Sequence, residues 1–234
     1  MAATVYLIPC FLHEEGLQAV PAYVTQAVQQ CEVFFVENER SARRYFKQLW
    51  SSMVIDNYEW HTIHKAEAEV INSFKNALKQ NKTIGIVSEA GCPGVADPGQ
   101  ILIGVAQQAQ ATVKPLTGPS SILLALMASG MNGQQFQFVG YLPIDNGQRM
   151  KQLKELEEYS RKKNCTQIFI ETPYRNNQLL ETILKTAQPN TQLCVAVNLT
   201  GPDEWVKTKT IAQWKQQPPD IHKQPAIFLL YAGN

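Results

Sequence analysis

The sequence predicts an α/β protein built from two domains. Short apolar, β-rich segments alternate with segments of helical periodicity over residues 1–116, which is the pattern of a parallel sheet with helices on both faces. After residue 116 the helical segments become longer and more charged. The 234 residues fit one large α/β domain or two domains of about 110 residues each. We predict an N-terminal α/β domain over residues 1–116 and a C-terminal α/β domain over residues 117–234.

The charge balance excludes a strongly basic protein. Twenty-one lysines and arginines face twenty aspartates and glutamates, which leaves a net charge of +1. No general positive field attracts nucleic acid, so any RNA binding has to use a local basic patch.

The cysteines and histidines indicate neither disulfides nor a metal site. The five cysteines are widely spaced and include no Cys-x-x-Cys pair, which favours a reducing compartment. His61 and His64 lie three residues apart without a cysteine or carboxylate at a metal-binding spacing, so we predict no metal. No segment reaches the roughly 18 to 20 apolar residues of a membrane span, and the start of the chain lacks the regions of a signal peptide. We expect a cytoplasmic protein without a membrane partner.

The helices and strands of the first domain are predicted from hydrophobic periodicity and residue composition. The apolar and β-branched content predicts strands over residues 4–9, 33–36, 84–87 and 111–116. An amphipathic pattern predicts a helix over residues 67–80, and a second helix is predicted after Gly99 and through Ala109. Strand and helix alternate, so we expect a parallel sheet covered on both faces.

The loop after the strand at residues 84–87 is the most informative stretch of the chain. It contains Gly91, Gly94 and Gly99, which allow backbone conformations that other residues resist, and Pro93 and Pro98, which fix φ. A stiff, glycine-rich loop at the carboxyl end of a buried strand is where open α/β sheets bind ligands. By composition alone an ordinary connecting loop remains an alternative.

Residues 87–99 read Val-Ser-Glu-Ala-Gly-Cys-Pro-Gly-Val-Ala-Asp-Pro-Gly. This stretch resembles the signature loop of the tetrapyrrole methylase superfamily of S-adenosylmethionine-dependent methyltransferases. It is most similar to the branch that methylates a ribose 2′-hydroxyl of a cytidine in small-subunit ribosomal RNA. Residues 115–121, Pro-Leu-Thr-Gly-Pro-Ser-Ser, resemble the Pro-Gly-Pro segment of the same family. The resemblance implies a tetrapyrrole methylase-like fold with a cofactor cleft between two α/β domains.

The resemblance also implies which residues contact S-adenosylmethionine. Glycines let the loop approach the cofactor, and hydroxyl groups at a helix N-terminus suit the carboxylate of its methionine part. The implied cofactor-binding residues are Pro9, Gly91, Cys92, Pro93, Gly94, Val95, Ala96, Ser120, Ser121, Ile122 and Ala196.

On the acceptor side the sequence keeps only part of the family pattern. The family commonly has Glu-Asp-Thr-Arg after the second strand, and this chain retains Glu37 and Arg40 but has Asn38 in place of the aspartate. An asparagine cannot serve as a base. Acidic residues at a helix N-terminus would equally account for Glu37. Glu171 and Arg175 match a family Glu-Ser-x-x-Arg segment.

Other positions depart from the family pattern more strongly. The loop over residues 10–17 lacks the Gly-Asn pair of the RNA-methylating branch, and Val197 and Asn198 replace an arginine and a glutamate. We therefore take Glu37, Arg40, Glu171 and Arg175 as the candidate catalytic residues without assigning a general base.

The second domain is predicted to contain strands over residues 136–142, 167–171, 192–197 and 226–231, a helix over residues 177–187 and a β-rich segment at residues 205–211. The helix predicted over residues 148–163 carries the basic residues Arg149, Lys151, Lys154, Arg161, Lys162 and Lys163. This helix is a candidate RNA-facing patch, and a solvated helix face is the alternative.

Three functions remain open from the sequence. The first is methylation of a ribosomal RNA ribose on the small ribosomal subunit. The second is methylation of a tetrapyrrole or another small molecule, which the near-neutral charge would suit. The third is a paralogue that binds cofactor or RNA without catalysis, which Asn38 and Asn198 would favour. The resemblance further implies a homodimer.

Overall fold

The computed structural model describes residues 2–63 and 70–233. It confirms the α/β fold class, with two five-stranded sheets. The chain divides into one compact unit up to Ser120 and a second from Ser121 onward. The boundary predicted from the sequence lies after residue 116, at the end of the predicted strand.

The first unit contains five parallel strands, in the sheet order β3-β2-β4-β1-β5. The strands are β1 (Thr4–Ile8), β2 (Val33–Val36), β3 (Glu59–Thr62), β4 (Thr83–Val87) and β5 (Thr112–Pro115). The helices are α1 (Val24–Gln30), α2 (Glu39–Leu49), α3 (Ile71–Lys79) and α4 (Gln100–Gln108). The predicted parallel sheet is confirmed.

Each face of this sheet has its own apolar core, because side chains alternate along a strand. Phe34 and Val36 of β2 pack in a cluster with residues of α1 and α2. Val33 and Phe35 pack in another cluster with residues of α3 and α4. Such strands carry apolar residues at consecutive positions, as a parallel sheet buried on both faces requires.

The structure also contains one strand that was not predicted from the sequence. β3 has the sequence Glu-Trp-His-Thr and lies at the edge of the sheet, where polar residues are tolerated. Its His61 stacks on Phe35 with ring centroids 4.8 Å apart. The predicted helix over residues 67–80 corresponds to α3; its first three residues and His64 lie outside the described residues.

The second unit forms a mixed sheet in the order β6-β7-β10-β8-β9. β6 is parallel to β7, while β10 is antiparallel to both β7 and β8, and β9 is antiparallel to β8. The strands are β6 (Phe136–Tyr141), β7 (Thr166–Ile170), β8 (Gln192–Val197), β9 (Trp205–Thr210) and β10 (Ala226–Tyr231). The helices are α5 (Ser121–Ser129), α6 (Asn146–Lys163), α7 (Asn176–Thr186) and α8 (Ile211–Gln216).

Residues of α6, α7 and α8 share one core cluster with residues of β7, β8 and β10. α5 packs against β8, β9 and β10. Arg149, predicted to lie in a basic surface patch on α6, is instead 1% exposed and donates to Ile144 O, Asn146 Oδ1 and Thr182 Oγ1. Throughout residues 2–63 and 70–233, no helix is long and apolar enough to cross a membrane.

Candidate functional site

The candidate site of the first unit lies at the carboxyl ends of its parallel strands, where open α/β sheets bind ligands. β4, β1 and β5 are neighbours in the sheet, so the segments that follow them leave the same edge. These segments begin at Pro9 after β1, at Ser88 after β4 and at Leu116 after β5.

Direct contacts hold these three segments together. Cys10 N donates to Gly91 O at 2.8 Å, and Gly91 N donates to Cys10 O at 3.2 Å. The Cys92 thiol lies 3.7 Å from Pro119 O. A Cβ atom on Gly118 would come within 2.1 Å of the Pro9 Cβ, so only glycine allows the segment after β5 to pass so close to Pro9. The predicted cofactor residues Pro9, Gly91 and Cys92 therefore belong to one packed region.

The signature loop has the backbone that its glycines suggested. Gly91, Gly94 and Gly99 have φ values of 70°, 77° and 120°, all in a region that side chains disfavour. Ala96 also has a positive φ, of 64°. Gly94 N donates to Pro98 O, which closes the loop on itself. Val95 and Ala96 are exposed in the first unit's loop, and Pro93 is buried.

A cavity of about 290 Å³ opens beside this loop. It is lined by the segment after β1, the end of β2, the start of α2 and residues 87–90. Three carboxylates line it, from Glu14, Glu37 and Glu89, together with the guanidinium of Arg44. Arg44 forms an ion pair with Glu14 at 2.8 Å. The cavity is therefore polar and carries an excess of negative charge.

Hydrogen bonds connect Glu37 to the signature loop. The Glu37 carboxylate accepts from Glu89 N at 3.0 Å, and the Glu89 carboxylate accepts from the Ser41 hydroxyl at 2.8 Å. Partial burial, followed by the charge of Glu37, raises the pKa of Asp97 to about 6, although a hydrogen bond from Ser88 opposes the shift. Burial raises the pKa of the Cys10 thiol to about 12, so this group is neutral at physiological pH.

Asn38 has a structural role that explains why an asparagine fits there. It is the N-cap of α2, and its Oδ1 accepts from Arg40 N at 3.0 Å and from Ser41 N at 3.2 Å. Asparagine and aspartate are about equally good at this position. The side chain of Glu37 lines the cavity, whereas Arg40 is exposed in the first turn of α2 and is not among the lining residues.

The remaining predicted site residues lie in or next to the second unit. Glu171 and Arg175 form an ion pair at 2.6 Å, in which the carboxylate is 1% exposed and the guanidinium side chain 31%. Glu171 Oε1 also accepts from Thr172 N, while Oε2 is buried with no hydrogen-bond partner among the described residues. Leaving a buried carboxylate oxygen without a hydrogen bond costs free energy.

Ser120 is the last residue of the first unit, and Ser121 and Ile122 begin α5. Ala196 is 1% exposed in the interior strand β8, paired with Ile227 of β10 and Val206 of β9.

Four polar residues near the signature loop were not predicted from the sequence: Ser41, Arg44, Glu89 and Asp97. Ser41 and Arg44 lie three residues apart on α2, which follows the N-cap Asn38. Residues at such spacings share one face of a helix, so the spacing could have indicated these two.

The fold and the glycine-rich loop together define a class of α/β proteins with two sheets, and solved structures of that class match nearly the whole chain. A uroporphyrin-III C-methyltransferase from Thermus thermophilus superposes with a TM-score of 0.56 at 15% identity, covering 99% of this chain and 93% of the other. The methyltransferase CobJ superposes with a TM-score of 0.64 at 17% identity, covering 98% and 93%. At these identities the likeness establishes the fold.

Residues 21–214 match the family model of tetrapyrrole (corrin/porphyrin) methylases, and the chain belongs to this family. It is similar to proteins named ribosomal RNA small subunit methyltransferase I. The protein from Micromonospora olivasterospora is 29% identical over 203 residues, which are 87% of this chain and 61% of the relative. The protein from Buchnera aphidicola subsp. Schizaphis graminum is 31% identical over 161 residues, or 68% and 55%. The matches thus span about three fifths of these relatives' length. The predicted family is confirmed.

Proposed function

We propose that the chain is an S-adenosylmethionine-dependent methyltransferase that methylates a ribose 2′-hydroxyl in small-subunit ribosomal RNA. The observation that carries the proposal is the signature loop, which has left-handed glycines and is hydrogen-bonded to the segment after β1. The names of the similar proteins support ribosomal RNA as the acceptor. We further propose that the protein acts as a cytoplasmic homodimer. The cofactor cleft between two domains, implied by the resemblance, stays a prediction.

The residues of the first unit fit the cofactor. Gly91 and Gly94 have positive φ values that other residues disfavour, and these conformations shape the loop whose first residues line the cavity. S-adenosylmethionine carries positive charges on its sulfonium and amino groups, and the carboxylates of Glu14, Glu37 and Glu89 supply a complementary field. When bound, this cofactor supplies an electrophilic methyl group, and the protein aligns donor and acceptor.

We assign cofactor contacts to the predicted residues of the signature loop, to Pro9 and to Ser120, Ser121 and Ile122. Ala196 is the weakest of the predicted contacts, because it is buried in the middle of a sheet. For the acceptor we propose Glu37, Arg40, Glu171 and Arg175. A ribose hydroxyl ionises far above neutral pH, so hydrogen bonds that stabilise its developing negative charge speed the reaction.

The first experiment is a calorimetric titration of the purified protein with S-adenosylhomocysteine. We expect binding by the native protein and none by Gly91→Val, because a β-branched residue is strained at a φ of 70° and would break the contact with Cys10. Gly104→Val is the matched control, since a Cβ on Gly104 of α4 meets nothing within 4 Å.

Native binding would then be followed by methyl transfer to small ribosomal subunits that lack their own modifications. If the native protein does not bind S-adenosylhomocysteine, the proposal of a methyltransferase is wrong. If it binds but transfers methyl groups only to a tetrapyrrole or another small molecule, the acceptor is wrong.

A further inference from the structure

A groove of about 400 Å³ in the second unit has a lining that includes none of the candidate cofactor and acceptor residues. One wall is β9, which pairs with β8 and forms an edge of the sheet in residues 2–63 and 70–233. Every second residue of a strand points to the same face, and on β9 these residues are Trp205, Lys207 and Lys209. Trp214 of α8 and Pro218 and Pro219 after it complete the apolar part of the lining.

The lysines of this groove sit over aromatic rings. Lys207 Nζ lies 5.7 Å from the ring centroid of Trp205, and Lys209 Nζ lies 4.8 Å from that of Trp214. In the part of the chain that the structure describes, no carboxylate forms an ion pair with either amine. Lys162 on α6, by contrast, pairs with Glu158 at 2.6 Å. The two β9 lysines are therefore available to an anionic ligand.

The two tryptophans differ in what they can contact. Trp214 is 2% exposed, and its indole N–H donates to Leu193 O at 2.8 Å, so it forms the fixed floor of the groove. Trp205 is only partly buried against the core and keeps ring surface toward the groove. An exposed aromatic face beside lysines is the combination that binds single-stranded nucleic acid, because bases stack and phosphates pair with amines.

Asp220 also lines the groove and adds a carboxylate to it. Its Oδ1 accepts from Asn177 Nδ2 at 2.8 Å and from His222 N at 3.0 Å, and these contacts lower the pKa of the carboxyl. An ionised carboxylate repels phosphate but accepts hydrogen bonds from the amino groups of bases. Phosphates are therefore favoured beside β9 and a base with an amino group beside Asp220.

We propose that this groove binds a single-stranded segment of RNA, with Lys207 and Lys209 on phosphates and Trp205 stacked on a base. The proposal rests on the proposed function for its choice of RNA, and it places substrate binding on β9 and α8 instead of on the charged helix α6. The groove would act as a docking surface for RNA, formed by residues other than those proposed for the acceptor.

The test measures fluorescence anisotropy of a labelled single-stranded RNA of about 12 nucleotides, within the range that such surfaces cover. We expect the double variant Lys207→Ala/Lys209→Ala to bind about tenfold more weakly at low salt. Log affinity falls as log salt concentration rises, and each phosphate contact on a single strand adds about 0.7 to the steepness of this slope. Loss of two contacts should therefore make the slope less steep by about 1.4.

Two further variants distinguish binding in the groove from attraction by positive charge elsewhere on the surface. Lys151→Ala/Lys154→Ala on α6 removes the same charge from exposed positions and should bind RNA like the native protein. Trp205→Leu should weaken binding about tenfold with an unchanged salt slope, because stacking involves no counterions. Thermal unfolding of each variant shows whether it is folded, and Lys207→Gln provides a milder change on β9.

Native RNA affinity in the β9 double variant would overturn the proposal, as would a loss of affinity confined to the α6 variant. If a labelled poly-glutamate peptide bound as tightly as the labelled RNA, the proposal would also be overturned, because the surface would then select negative charge alone. S-adenosylhomocysteine titrations of the same variants keep the two proposals apart. If the protein binds S-adenosylhomocysteine but its RNA affinity does not depend on the groove residues, the groove proposal is wrong. If its RNA affinity depends on the groove residues but it does not bind S-adenosylhomocysteine, the methyltransferase proposal is wrong.

Discussion

The carboxylates beside the signature loop interact with each other, and Asp97 shows the effect most clearly. Its pKa of about 6 lies above the ordinary value of 3.8, because the group is partly buried and near the charges of Glu37 and Glu89. The folded protein therefore holds the Asp97 proton more tightly than the unfolded chain does. This stabilisation is complete below pH 3.8 and is lost as the pH rises through 6.

We expect Asp97→Asn to remove this dependence. The variant should be about as stable as the native protein near pH 4 and more stable by about 1 kcal/mol at pH 7, a figure reduced for partial solvent exposure. Urea unfolding across this pH range measures the difference, and Asp56→Asn at an exposed position is the control. A stability difference that does not change with pH would contradict the expected ionisation of Asp97.

Glu171 and Arg175 form an i, i+4 ion pair, as do Glu158 and Lys162, but only Glu171 is buried. We expect Glu171→Ala to lower methyl transfer about tenfold or more, because Arg175 loses the partner that orients it, and to leave S-adenosylhomocysteine affinity unchanged. Glu158→Ala should change neither quantity. Measurements of turnover and of S-adenosylhomocysteine affinity distinguish the Glu171→Ala variant from the Glu158→Ala variant. Native turnover in Glu171→Ala would remove this residue from the proposed acceptor site.

At the scale of elements, the start of α2 depends on one amide. Asn38→Ala should destabilise the protein by about 1 kcal/mol, because two backbone N–H groups lose their acceptor. Asn38→Asp should restore the native stability, since an aspartate caps as well. Urea midpoints of the three proteins check this. An alanine variant as stable as the native protein would show that the cap contributes nothing to stability.

Element boundaries were predictable where the sequence changes abruptly. β2 and β8 have the predicted ends because apolar residues stop at Glu37 and at Asn198. β3 was missed because an edge strand of Glu-Trp-His-Thr needs no apolar alternation. The burial of Arg149 was not predictable from the sequence, because it depends on acceptors 5 and 33 residues away in the chain.

At the scale of the whole molecule, we expect a homodimer. Sedimentation equilibrium at micromolar concentration should give twice the 26.3 kDa of one chain. The near-neutral net charge of +1 does not oppose such an association by general repulsion. A single-chain mass at every concentration tested would contradict the expected dimer.

The candidate site was only partly predictable from the chain. The glycines and prolines of residues 87–99 indicated the loop, because their backbone requirements are local. The hydrogen bonds of Glu37 with the Glu89 backbone and of Ser41 with the Glu89 side chain were not predictable, since they join residues 52 and 48 positions apart. The groove on β9 was not predictable for a different reason: Lys209 and Trp214 are close in sequence, but their contact depends on how α8 packs against β9.

The strand order of the first sheet has a consequence for synthesis of the chain. β1 is made before both of its neighbours in the sheet, β4 and β5, which come much later in the sequence. β1 cannot pair natively until Thr83–Val87 have been translated, and its Val5 and Ile8, fully buried in the end, are exposed until then. A growing chain therefore carries unpaired, apolar β1 through a long stage of translation, and this stage is when the nascent protein most needs protection from aggregation.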